Sequence, residues 1–114
     1  MRGSMEVPDV TDLGLMPLEV AHIGTGVTSV TAWADDGAGV SMTWDEMACS
    51  VQIRWTDDGG VRFNVERESI SKISIRDENG RIEFAAWSEA EGMVGRLIVL
   101  IGKRVNISDA LLRR

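Results

Sequence analysis

The sequence predicts an all-β domain, an antiparallel meander closing into a small barrel or sandwich of about seven strands with a short C-terminal helix. Three observations carry that expectation. From Leu18 onward, apolar and polar residues alternate at the period of two that a strand with one buried face requires. Glycine and acidic clusters interrupt this alternation roughly every eight to twelve residues, the spacing of turns in a meander. Residues 18–104 contain no amphipathic stretch of about ten residues or more at helical period, so the crossovers that a parallel sheet needs are missing.

The elements follow in order. Residues 1–17 are acidic, aperiodic and punctuated by Pro8, Gly14 and Pro17, which predicts an N-terminal leader and flexible arm outside the core. Met1-Arg2-Gly3-Ser4 resembles an expression leader ahead of a start at Met5. Residues 18–114 form the single β-domain. "LEVAHI" reads as a short first strand, and "VTSVTAWA" and "GVSMTW" pair through "DDGAG". In the next strand Cys49, Val51, Ile53 and Trp55 share one face while Ser50, Gln52, Arg54 and Thr56 share the other. "DEMA" then falls where the chain reverses, so Asp45 and Glu46 are turn acids. "TDDGG" leads to Val61, Phe63 and Val65 on one face of a further strand. Ile73 and Ile75 are joined to Ile82 and Phe84 by "DENG", whose Asn79-Gly80 suits the positive φ angles of a tight hairpin. The strand from Met93 to Ile101 is apolar on both parities, so both faces need cover. Ser108 is positioned to cap the terminal helix, with Asp109 in its first turn and Arg113 and Arg114 at its end.

At 114 residues and 44% hydrophobic content, the chain suffices for one core. The lone Cys49 makes no intramolecular disulfide, and no run of about eighteen apolar residues is present, which suits a reducing cytoplasm. The net charge is −6, unevenly spread: residues 1–60 hold two bases against ten acids, the remainder ten bases against eight acids. An anionic polymer or bilayer would be repelled by the first half and finds no basic stripe in the second, so neither nucleic acid nor membrane is an expected partner.

Few residues carry chemistry. Cys49 faces inward with no base near it in sequence, which argues against a thiolate nucleophile. His22 is the single histidine and no nucleophile elbow accompanies it, so it is read as structural. In a meander, "DDGAG", "TDDGG" and "DENG" gather at one end of the sheet, but solvated hairpin tips seldom converge six oxygens on one calcium ion. No metal, cofactor or catalytic residue is assigned.

The tryptophans separate by parity. Trp44 and Trp55 lie with the core residues of their strands, whereas Trp33 lies with Ser29 and Thr31, and Trp87 with Arg81 and Glu83. Exposed tryptophan is typical of contact surfaces. Trp33, Trp87, Ile98 and Leu100 are therefore the candidate interface, shared with a protein partner or a second copy of the chain. The leading expectation is a small, acidic, non-enzymatic protein-binding domain of accessory, inhibitor or immunity type, acting as a homo-oligomer. The alternative is a β-barrel holding a small molecule, possibly an enzyme using His22 or carboxylates such as Asp45, Glu46 and Glu83 for acid/base chemistry.

Overall fold

Nine strands and one short helix make up residues 5–113, which the computed structural model describes. The leader expected over Met1-Arg2-Gly3-Ser4 and the terminal Arg114 lie outside those residues. The strands are β1 (Glu19–Gly24), β2 (Val27–Trp33), β3 (Gly39–Asp45), β4 (Ser50–Asp57), β5 (Gly60–Arg67), β6 (Ile70–Glu78), β7 (Arg81–Ala90), β8 (Met93–Ile101) and β9 (Val105–Arg113). They form two antiparallel meanders, β1-β2-β3-β4-β5 and β6-β7-β8-β9, which do not close into one barrel.

The period-two alternation accounts for how the sheets meet. Val30, Val40, Met42, Trp44, Val51 and Ile53 bury one face of the first sheet. Ile73, Ile82, Phe84, Leu97, Val99 and Ile101 bury one face of the second, and both sets belong to a single core cluster. Each such side chain contributes roughly 1.5–3 kcal/mol on burial, so this shared layer dominates stability. Backbone bonds staple the sheets at their ends: Asp35 N donates to Gly102 O at 2.8 Å, and Ile70 N to Cys49 O at 2.9 Å. The Arg67 guanidinium of β5 also bonds Asp109 of β9.

The β6–β7 hairpin follows its sequence signature. Asn79 (φ 55°) and Gly80 (φ 79°) occupy the left-handed region and set Glu78 opposite Arg81.

Three features depart from expectation. The segment predicted as a terminal helix is β9, which pairs with β8 from Ile101↔Val105 to Met93↔Arg113. Five or six residues cannot offset helix nucleation, whereas a ladder along β8 satisfies the edge of a strand that is apolar on both faces and buries Val105. The strands number nine, where about seven were expected. Residues 5–17 also belong partly to the core. Met5 and Leu13 are buried, Leu13 from the short helix α1 (Val10–Leu13), whose cap Asp9 accepts a bond from Thr11 N at 2.8 Å. Their spacing follows no period, which hid them from a pattern-based reading.

Candidate functional site

The outer face of the second sheet is built by register. On β8, Arg96, Ile98 and Leu100 alternate with the buried Leu97, Val99 and Ile101. Their partners on β7 are Trp87, Ala85 and Glu83. Lys72, Ser74 and Arg76 of β6 lie beyond, opposite the same three β7 residues. Trp87, Ile98 and Leu100 are thereby brought onto one surface, each half-buried. The Lys72 ammonium stands 5.4 Å from the centre of the Trp87 ring, a cation–π contact that holds the indole against the sheet. Lys72 also pairs with Glu6 at 3.5 Å, and Arg76 with Glu78 at 3.2 Å and Glu83 at 3.8 Å. Arg96 is exposed and has no ion pair among the described residues.

Leu100 also lines a hollow of about 500 Å3 that opens toward the turns, together with Asp35, Glu78, Arg81, Lys103 and Arg104. Two of the three turns expected to gather at one end meet here: Asp35 comes from the β2–β3 connection and Glu78 precedes the β6–β7 turn, whereas Asp57 and Asp58 of "TDDGG" lie beside Asp36 at a separate hollow. The bases interleaved with them were missed in the sequence, because Lys103 and Arg104 reach this end only once β8 and β9 form a hairpin.

Trp33 is not part of this surface. It lies on the outer face of the first sheet, 51% exposed, and covers Gly39 so closely that a Cβ there would stand 3.3 Å from its Nε1. The middle of that face is polar, with Val27, Ala21 and Val61 toward its margins. Thr31 Oγ1 and Ser41 Oγ are 2.9 Å apart, Thr43 Oγ1 donates to Ser29 Oγ at 2.9 Å, and Gln52 Nε2 donates to Asn64 Oδ1 at 3.1 Å.

The residues offered for acid/base chemistry are scattered. His22 stands exposed on β1, its Nδ1 3.4 Å from Thr28 Oγ1. Asp45 is the last residue of β3, and its Oδ1 holds the following turn by accepting from Met47 N at 3.0 Å and Ala48 N at 3.1 Å. Glu83 lies on the second sheet beside Arg76. Cys49 is buried, with its Sγ 3.7 Å from Glu46 O. The space between the sheets, where a ligand-holding barrel would need a cavity, is filled by Trp44, Phe84, Met42 and Ile53. No three metal-ligating side chains converge among the described residues, and no helix there is long and apolar enough to cross a membrane.

No family model matches the chain, and no curated protein matches it by sequence. A solved chain does share its fold: one from a contact-dependent growth inhibition toxin–immunity protein complex of Klebsiella pneumoniae 342. The two superpose with a TM-score of 0.77 at 14% identity, over 95% of this chain and 97% of the other.

Proposed function

We propose that this chain is a non-enzymatic protein-binding domain of the immunity type, which acts in the cytoplasm by binding a toxin-like protein and blocking it. The observation that carries this reading is the fold likeness, which runs almost end to end through both chains. The surface supports it: the second sheet presents Trp87 and two aliphatic side chains beside cations, a composition enriched in protein contacts. On this reading Trp87, Ile98 and Leu100 also form the contact of a homo-oligomer, and Trp33 belongs to a separate contact on the first sheet. The test is affinity capture from the host that encodes the chain, mass-spectrometric identification, and reconstitution from purified components. A stoichiometric complex in which the partner's activity is lost supports the reading; a partner whose activity is untouched, or no partner, overturns it.

A further inference from the structure

The edge of β6 is paired for only one rung. Glu6 lies parallel to it, with Glu6 N donating to Ser71 O at 3.0 Å and Ile73 N donating to Glu6 O at 2.8 Å. In a parallel ladder the next rung belongs to the residue two further along, which is Pro8. Proline has no N–H to offer Ile73 O, so the ladder stops, and the chain turns away into α1. Alternation then determines what is left over. Glu78 and Arg81 flank the two-residue turn and exchange bonds, so Arg76 and Ser74 also bond toward β7. Ile75, itself only 7% exposed, and the exposed Asp77 therefore direct their N–H and C=O groups away from β7, where no backbone group of the described residues meets them.

This edge forms one wall of a groove of about 480 Å3. Its apolar lining includes Val7, Pro8, Met16 and Leu15, the last 82% exposed. Its charged lining is Glu6, Asp9, Asp12 and Asp77 against Lys72 alone, and Lys72 is already engaged by Glu6.

We infer that this groove takes an extended, basic segment of the partner protein, which adds as a strand along β6 beyond Glu6. The backbone of Ile75 and Asp77 supplies the ladder, Leu15 and Met16 cover alternate apolar side chains, and the carboxylates of Asp9, Asp12 and Asp77, which do not pair with Lys72, select lysine or arginine. An open strand edge invites such pairing, and the arm with its proline shields only the first part of it. The inference rests on the proposed protein-binding function and specifies where the partner docks.

Amide hydrogen exchange of the full chain tests it, with the blocked octapeptide of alternating lysine and valine as probe at millimolar concentration. The Ile75 and Asp77 amides should slow by about tenfold or more, while Ser74 and Arg76, already bonded to β7, change little. The glutamate–valine counterpart should leave all four unchanged. Equal protection by both peptides, or none by the basic one, overturns the inference. So does protection of Ile75 and Asp77 that grows with protein concentration when no peptide is present, which would assign the edge to a second copy. The double substitution Asp12→Lys with Asp77→Lys, at two exposed sites, should weaken the basic peptide by about tenfold or more with the circular dichroism spectrum unchanged; undiminished binding overturns the role of charge. A reconstituted complex that leaves the two amides exchanging as before would refute this docking edge and leave the binding function standing. Peptide protection without any captured partner would do the reverse.

Discussion

The outer faces of the two sheets are made differently. On the first, hydroxyl and amide groups bond one another across strands, as Thr31 does with Ser41 and Gln52 with Asn64. On the second, Trp87, Ile98 and Leu100 lie among cations, of which Arg96 has no ion pair among the described residues. A face whose donors and acceptors already satisfy one another gains little by trading them for a partner's, since the net worth of such a bond is only about 0.5–1.5 kcal/mol. Half-exposed apolar area with polar groups at its rim gains by being covered. Both sheets build the core, and the proposed oligomer contact draws on the second.

The largest effect is expected where the sheets do not differ. Trp44 of the first sheet and Phe84 of the second are both fully buried in the common core, so Trp44→Ala and Phe84→Ala should each cost about 3–5 kcal/mol in denaturant unfolding. A loss below about 1 kcal/mol for either would mean that the inward faces are not equivalent, and would break the shared-core account.

Next comes the proposed contact face. Trp87→Glu should leave the fold intact, because the ring is only half-buried, yet should weaken self-association by about thirtyfold, the equivalent of the ~2 kcal/mol a central aromatic typically contributes. Sedimentation equilibrium at micromolar concentration reads this directly. If the unmodified chain sediments at 12.5 kDa, the oligomer proposal fails before the substitution is needed. Trp33→Glu, on the other sheet, is expected to leave the association constant unchanged.

Much of this arrangement was legible in the residues, for local reasons. Asn79-Gly80 demanded a hairpin, and the parity of "CSVQIRW" separated core from surface without knowledge of strand order. The bounds of β8 could be read from its apolar run. What failed depended on partners distant in sequence. "SDALL" carries a cap and helix formers, but its fate is decided by the open edge of β8, and Asp109 finds Arg67 from β5 rather than a helix end. Met5 and Leu13 enter the core through a segment with no period at all. The candidate interface was half legible: parity put Trp33 and Trp87 outside, but only the register shows that Trp87 shares its face with Ile98 and Leu100 while Trp33 stands on the other sheet. The groove beside β6 depends on where Pro8 meets a strand more than sixty residues away, which no local pattern encodes.

A smaller effect sharpens the contrast from the polar side. Thr31→Ala and Ser41→Ala, singly and together, form a double-mutant cycle on the 2.9 Å hydroxyl pair. The coupling should be about 0.2–1 kcal/mol, the range for cross-strand pairs, and none of the three variants should alter sedimentation. A change in oligomeric state here would show that the first sheet's face takes part in self-association as well.

The smallest effect belongs to Asp57, at the β4–β5 turn of the same sheet, and is visible only in acid. Arg62 Nε donates to its Oδ2 at 2.7 Å and Gly59 N to its Oδ1 at 2.7 Å. The bond from Arg62, followed by that from Gly59, holds the Asp57 carboxyl below its ordinary value of 3.8. A carboxylate whose pKa is lowered on folding binds fewer protons in the native state than in the unfolded one over that interval. Its contribution to stability is therefore complete above 3.8 and fades as the pH falls through the lower native value. Asp57→Asn keeps an acceptor for Gly59 N and removes the charge. The melting temperature of the variant should consequently lie slightly below that of the unmodified chain by a constant margin at neutral pH, and the two curves should converge on acidification below 3.8. Because the pair is exposed, about 0.5 M salt should also narrow the margin. A margin that widens in acid would reverse the sign and show that Asp57 is stabilised in its protonated form. The first sheet's surface would then hold an unsatisfied charge at neutral pH, and the contrast with the second sheet would narrow.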